Sequence, residues 1–417
     1  MHELIDRLDN AAWKDLLHRI LAAKDDAKML INELADILRR QPVPEPFGKI
    51  SARDAAHLVE IGMLTQFPPH PFSAWHVNNS LLFWFVTIRH PVLAKVVALR
   101  YEDCPEALRP YALTIVAAQP DEGAVLTLRD IVVEFGLPSS MMPRFFWELS
   151  RNIEHFAQTL PLLVTKAGKH IPEVVNLVNE ALEKKLLTSE DFAVAADDIR
   201  ARTRELLEFV IPAQQDHGVQ WRYQDEYRSA ASRLGPWIDL FGHLPCDEEV
   251  LRQMRQLEDP YLLGCLVSTL LRWHCEPEAD LIRAVARDPI QRTGLFRVLR
   301  RRPDLYPPEF RNFVSFAESD MARWILNDCG TEAEALDLVS IFRSEGDDGT
   351  ASYACLWRFR MDGEEFAGVS GPYPSRDSDE PLLGEGTFSR FEPWASKSPE
   401  EHLLAISDTL KAWQACR

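Results

Sequence analysis

The residues with the clearest potential for metal chemistry are two cysteines, a histidine and a glutamate in the second half of the chain. Cys265, His274, Cys275 and Glu276 offer thiolate, imidazole and carboxylate groups, which are the ligands that zinc prefers. The cysteines are ten residues apart, and no second close pair of cysteine or histidine completes a four-ligand spacing. We therefore interpret the thiols as reduced core residues and the histidine as a surface residue, and we expect neither a metal nor a cofactor.

Candidates for acid–base or nucleophilic catalysis are equally isolated. His76 precedes the most apolar stretch of the chain, residues 80–88, but no partner signature accompanies it, and the neighbouring Asn78 or Asn79 suits the capping of a helix. The sequence contains no zinc-protease, nucleophile-elbow, phosphate-loop or dinucleotide-binding motif. We predict that the protein is not an enzyme; a hydrolase that uses His76 or His274 is the alternative.

The charge of the chain favours a basic partner. Its formal net charge is −18 at pH 7, and residues 345–401 contain 13 acidic against 5 basic side chains. Such a surface repels nucleic acid and attracts cationic proteins over a distance. The alternative is that the charge serves only to keep the protein soluble.

Acidic and aromatic side chains occur together near the C-terminal end, where we predict a docking patch for a basic partner. The acidic members are Asp347, Asp348, Asp362, Glu364, Glu365, Asp377, Asp379 and Glu380, and the aromatic members are Trp357, Tyr373, Phe391 and Trp394. In this interpretation the aromatic side chains anchor the partner and the carboxylates surround them. The alternative is that the aromatic residues are core, since alternate residues of a strand face the interior.

Helical spacing of apolar residues dominates the rest of the sequence. A helical hairpin is predicted at the N-terminus from two apolar stripes: Trp13, Leu16, Leu17, Ile20 and Leu21, then Leu30, Leu34, Ile37 and Leu38. Ser51 is a predicted helix N-cap, with Asp54 at the reciprocal position, and residues 188–191 are predicted to start a longer helix. We expect a loop from Pro212 to Gly218.

The last part of the chain shows strand periodicity instead. Residues 353–361 alternate apolar and polar side chains, Asp362-Gly363 is a hairpin-turn pair, and residues 365–369 form the returning strand. A loop is predicted from Ser370 to Gly384, then a third strand over 386–394. Ser398, Pro399 and Glu401 predict the start of a closing helix.

One segment resembles a HEAT-type helical repeat. Leu281, Ile282 and Val285 form an apolar first helix, Asp288-Pro289 forms the corner, and Arg292 follows early in a second helix. Asp259-Pro260 opens another helix 29 residues before Asp288-Pro289. The resemblance is centred on residues 259–342, and it implies an α-solenoid that acts as a scaffold or binding surface.

We therefore expect a mostly α fold, an irregular HEAT-like α-solenoid with a small C-terminal α+β cap. The predicted segments are an N-terminal helical hairpin over 1–41, a proline-rich connector with a short helix over 42–74, a helical array over 75–245, HEAT-like repeats over 246–345, and a β-hairpin plus helix module over 346–417.

The expected function is protein binding. The N-terminus has no apolar signal segment, and the richest apolar run is shorter than the ~20 residues that a membrane span needs, so we expect a cytoplasmic protein without a membrane partner. Acidic charge and a repeat architecture indicate a bacterial immunity protein that neutralises a secreted toxin by occlusion. A scaffold or adaptor in a protein assembly is the alternative.

Overall fold

The structure, a computed structural model, is mostly helical and contains a four-stranded antiparallel sheet near the C-terminal end. It describes residues 2–23, 50–65, 81–86, 88–216, 224–311, 313–345, 351–374 and 387–405. The second stripe of the predicted N-terminal hairpin and the proline-rich stretch after it lie outside these ranges. None of the helices that the structure describes combines the length and the apolar content that a crossing of the membrane requires.

The chain divides into two compact units, Met1–Leu206 and Leu207–Arg417. The helices of the first unit are α1 His2–Asp6, α2 Ala11–Ala23, α3 Ala52–Leu64, α4 Leu81–Phe85, α5 Val92–Arg100, α6 Arg109–Ala117, α7 Glu122–Phe135, α8 Pro143–Arg151, α9 Ile153–Phe156, α10 Leu160–Lys166 and α11 Ile171–Glu183. The division falls within α12, Ala196–Asp216.

Helices of the first unit pack on near neighbours in the sequence. Helix α3 contacts α5, α5 contacts α7, α6 contacts α8, and α8 contacts α11. The predicted N-cap is confirmed, because the Ser51 hydroxyl accepts a 3.0 Å hydrogen bond from the Asp54 amide. At the other predicted helix start, Thr188 and Asp191 form a reciprocal capping box. Asp54 is itself buried, where its carboxylate accepts a hydrogen bond from the Asp9 amide and so fixes the chain between α1 and α2.

The prediction of a loop from Pro212 is wrong, because α12 continues through Pro212 to Asp216. The side chain of Gln214 is buried and bonded at both ends. Its amide nitrogen donates to the Tyr227 hydroxyl at 2.7 Å, and its oxygen accepts from the Glu258 amide at 3.0 Å. These long-range bonds hold the last turn helical although Pro212 removes one backbone donor from it.

The second unit continues with further helices, most of which contact a near neighbour in the sequence. They are α13 Asp225–Phe241, α14 Glu248–Met254, α15 Pro260–Arg272, α16 Ala279–Arg287, α17 Pro289–Leu299 and α18 Phe313–Cys329. Asp259 and Asp288 are the N-caps of α15 and α17, and a proline follows each cap at the first helical position, where its missing amide costs no hydrogen bond.

Arg292 connects three of these helices from a position that is 4% exposed. Its Nε donates to the carbonyl oxygen of Ala286 in α16 at 2.6 Å. One terminal nitrogen donates to the Ser315 carbonyl oxygen and, at 2.8 Å, to the Glu318 carboxylate, both in α18. The corner between α16 and α17 is therefore fixed by a buried, charged group.

The strands are β1 Ala335–Glu345, β2 Ala351–Met361, β3 Glu364–Pro374 and β4 Thr387–Pro393, in the spatial order β1-β2-β3-β4. The predicted hairpin is confirmed, with positive φ angles of 49° at Asp362 and 76° at Gly363 between β2 and β3. The predicted loop after Ser370 is wrong at its start, because β3 runs on to Pro374. A register shift at Gly371, whose φ is 124°, lets the strand continue there.

Helix α18 covers one face of the sheet. Its side chains Ala317, Met321 and Ile325 form a core with Cys355, Trp357, Phe359 and Tyr373. A Cβ atom at Gly368 would overlap the Met321 methyl group, so this glycine permits the close approach of helix and sheet. Leu356, Ala367 and Val369 form a second, smaller cluster with Trp394. The expected sheet is present near the C-terminal end, but the layer also includes α18 and β1, which lie within the range predicted as HEAT-like repeats.

Candidate partner-binding surfaces

Two of the predicted aromatic anchors are core residues. Trp357 is 2% exposed and Tyr373 is 1% exposed. The Trp357 indole donates to the Ser370 hydroxyl at 2.8 Å, and the Tyr373 hydroxyl donates to an Asp320 carboxylate oxygen at 2.9 Å. Burial raises the pKa of Tyr373, and the Asp320 charge raises it further, so the phenol stays a neutral donor. These side chains join the sheet to α18 and offer no surface to a partner.

The other two aromatic residues are half-buried and engaged within the sheet layer. The ring of Phe391 meets that of Phe359 edge-on at 5.0 Å. The Trp394 ring stacks on His402 at 5.4 Å, with the Arg358 guanidinium 5.5 Å from its centroid. His402 is fully buried, and its ring nitrogens lie 3.3 Å from the Glu392 carboxylate and 3.1 Å from the Trp394 carbonyl oxygen.

Two of the predicted acidic residues, Asp362 and Glu364, are exposed at the turn between β2 and β3. Glu365 follows them and is engaged by Arg358 and Arg360; hydrogen bonds from Arg358 lower the pKa of this carboxyl group most. We call the exposed carboxylates at this end of the sheet the acidic rim. Its members are Glu334, Asp337, Asp362 and Glu364.

The acidic rim is held together by the strand register. Ala335 of β1 lies opposite Arg360 of β2, so Glu334 stands beside the turn, where its carboxylate accepts from the Gly363 amide at 3.3 Å. The remaining predicted acidic residues, Asp347, Asp348, Asp377, Asp379 and Glu380, lie outside the described residues.

The feature that sequence reasoning missed is strand β1. It is an outer strand of 11 residues, and no described strand pairs with its outer edge. Its apolar side chains are half-buried at best, and Leu338 is 37% exposed. The register shifts between Leu338 and Ser340, so β1 has one extra residue there. This bulge interrupts the alternation of apolar and polar side chains by which a strand is recognised in a sequence. The only sequence signal left for a strand was its content of residues that favour strands, namely Val339, Ile341 and Phe342.

The residues considered for metal and acid–base chemistry are dispersed. Cys265 lies in α15, where burial raises the pKa of its thiol, whereas His274 and Cys275 are exposed just after that helix. Across the described ranges, no three residues among histidine, cysteine, aspartate and glutamate are grouped so that they could hold a metal ion. His76 lies outside those ranges.

Comparisons with models of known protein families, with curated proteins and with solved structures found no match. Among the described surfaces, the strongest candidate for binding a partner is the outer edge of β1 together with the acidic rim beside it.

Proposed function

We propose that the protein binds another protein without catalysing a reaction, and that β1 receives an extended, basic segment of that partner. The observation that carries the proposal is the unpaired outer edge of β1 in the sheet that the structure describes. A free strand edge presents backbone donors and acceptors, which an added strand satisfies while its side chains meet the neighbouring surface.

The shape of β1 favours a segment of a different protein over a second copy of β1. A bulge near the middle of an edge strand opposes the flat pairing of two identical strands. Beyond the bulge, residues 340–345 keep a regular register with β2. This length equals that of a typical strand, about 5–6 residues, so a short peptide has enough backbone to pair with.

The charge of the surface favours a basic segment. The acidic rim contributes four exposed carboxylates at one end of β1 and its neighbours, in a chain of net charge −18. Complementary charge raises the rate of encounter and fixes the register of the bound segment. Electrostatic attraction brings the segment to the surface, and apolar side chains of β1, such as Leu338, then provide the apolar contact that holds it there.

In its specific form, the proposal is an immunity protein that acts in the cytoplasm and neutralises a secreted toxin by covering its basic working surface. An acidic protein suits this role, since toxins that act on nucleic acid need a cationic face for phosphate.

A scaffold is the second candidate function, and the packing of α15 to α18 favours it. Asp288 caps α17 at the Asp288-Pro289 corner, and Arg292 is buried early in the same helix. For this second candidate function, we propose that α15 to α18 form an irregular α-solenoid. A solenoid scaffold would hold its partner on the helices and leave β1 free.

The test is capture of the partner by tagged variants, followed by co-expression. Leu338→Lys places a charge on the outer strand, and Leu99→Lys is its control, at an apolar position that is 71% exposed in α5. Glu364→Lys reverses one charge of the rim, and Glu134→Lys makes the same change on α7.

We expect the wild type and both controls to capture the same protein, and both sheet variants to lose it. The captured protein should inhibit growth when expressed alone and should be harmless beside the wild type. A partner retained by Leu338→Lys and Glu364→Lys would contradict docking at β1. A captured protein that is harmless when expressed alone would contradict immunity and favour the scaffold.

A further inference from the structure

A surface in the first unit has the opposite charge from the acidic rim. Helix α8 exposes Trp147, whose side chain is 54% accessible, and Arg144 and Arg151 lie three positions before it and four positions after it on the same helix face. Arg89 reaches the same helix by an ion pair with Glu148. We call these four residues, Arg89, Arg144, Trp147 and Arg151, the Arg–Trp surface.

Positive charge is in excess here. Glu148 is fully buried, and one of its oxygens accepts from Arg89 at 2.8 Å and from Arg144 at 3.4 Å. Arg151 has no carboxylate partner within the described ranges; its guanidinium carbon lies 5.6 Å from the centre of the Trp147 ring. Three guanidinium groups therefore share one carboxylate in a chain of net charge −18.

The arginines keep unused hydrogen-bonding capacity. The Arg144 side chain is 39% exposed, and its one contact with Glu148, at 3.4 Å, is long. Burial lowers the pKa of Arg89, and the charges of Arg144 and Arg151 add to this, although Glu148 opposes it. An additional anion would relieve this crowding of like charges.

The exposed indole of Trp147 indicates that this surface also makes an apolar contact. A tryptophan that leaves half of its side chain in water forgoes a large apolar contribution to stability. Tryptophan and arginine are also the residues most enriched among those that dominate binding energy at protein interfaces. Trp147 lies between two arginines, so the same helix face offers an apolar contact flanked by two cationic ones.

We propose that the Arg–Trp surface binds an acidic segment of a partner protein, with carboxylates on Arg144 and Arg151 and an apolar side chain on Trp147. Arg144 and Arg151 are seven residues apart, which is roughly 10 Å along a helix. In an extended peptide alternate residues share a face, and positions i and i+4 lie roughly 13 Å apart, a difference that two long arginine side chains cover. The segment therefore carries two acidic residues four positions apart with an apolar residue midway between them, all on one face.

The net negative charge of the chain favours a peptide over nucleic acid as the ligand of the Arg–Trp surface. Single-stranded nucleic acid also stacks on aromatic rings and pairs with arginine. However, it carries a charge at every nucleotide, so the acidic remainder of this chain repels it more strongly than a peptide with two carboxylates. The Arg–Trp surface belongs to the first unit and the β1 edge to the second, and the inference stands whether or not that edge binds a basic segment.

The experiment measures the fluorescence anisotropy of a labelled extended peptide with two glutamates four positions apart and a leucine midway between them. Full-length protein is titrated into the peptide at low salt and again at physiological salt. Trp147→Ala and Arg151→Gln are the test variants. Phe209→Ala, at an exposed aromatic position in α12, and Arg297→Gln, at an exposed arginine in α17, are their controls.

We expect saturable binding that Trp147→Ala weakens about tenfold or more and Arg151→Gln about fivefold, with both controls unchanged. A peptide with its glutamates adjacent should bind several-fold more weakly. Absence of saturable binding, or equal binding by Trp147→Ala and the wild type, would overturn the proposal. Tighter binding of an unlabelled oligothymidylate competitor than of the peptide would assign the surface to nucleic acid instead.

Discussion

Replacing Arg292 with methionine tests the helical core of the second unit. The side chain is 4% exposed and serves acceptors in two helices, so its loss affects α16 and α18 at once. The carbonyl oxygens of Ala286 and Ser315 lose a charged donor, and a buried acceptor left unpaired costs about 1–3 kcal/mol. Glu318 has a side chain that is 32% exposed, so water compensates most of its loss. We expect a decrease of about 3 kcal/mol in the free energy of unfolding.

The assay is urea and thermal unfolding followed by circular dichroism at a helical wavelength. For a unit of this size, about 3 kcal/mol corresponds to a decrease of roughly 6–12 °C in Tm. Arg297→Met is the matched control, because Arg297 is exposed on the same helix, and its cost should be about 0.5 kcal/mol or less. A loss below about 1 kcal/mol for Arg292→Met would refute the structural role assigned to the guanidinium.

Three further substitutions probe separate parts of the second unit. Gly368→Ala should cost about 1–3 kcal/mol in urea unfolding, because its Cβ overlaps the Met321 methyl group, and a second substitution, Met321→Val, should recover part of that loss. Asp288→Ala should lower stability by about 1 kcal/mol in thermal unfolding through loss of the α17 cap; a neutral result would contradict the capping role. Burial lowers the pKa of His243 from 6.5 to about 4, and the charge of Arg272 contributes to the shift. The folded protein therefore favours the neutral imidazole, and the stability that this preference provides is complete above pH 6.5 and is lost as the pH falls towards 4. His243→Leu should therefore remove up to about 3 kcal/mol of the stability lost between those pH values, whereas a pH profile equal to that of the exposed-site control His155→Leu would contradict this cause.

Local signals in the sequence predicted local structure well. The Ser51 cap, the helix that begins at Asp288-Pro289 and the Asp362-Gly363 turn depend on residues within a few positions of one another, and the structure confirms them. Pro212 misled the prediction because the bonds of Gln214 to residues distant in the sequence, Tyr227 and Glu258, hold the helix beyond it.

The candidate surfaces were harder to predict. Strand spacing shows which side chains share a face, but it does not show which face another element covers. The strand pattern of Trp357 and Tyr373 is therefore compatible with a core and with a docking patch, and the packing of α18 against them makes them core residues. The outer position of β1 depends on strand order, and the excess charge at Arg144 depends on the approach of Arg89 from 55 residues earlier in the sequence, so neither follows from local pattern.

Hydrogen–deuterium exchange of the captured complex tests the central claim most directly. If a basic segment pairs with the outer strand, backbone amides in residues 335–345 should exchange more slowly in the complex than in the free protein. Amides of α8 around Trp147 should be unchanged by the same partner. Protection confined to the helices, with β1 exchanging as fast as in the free protein, would contradict the claim that this sheet edge is the binding site.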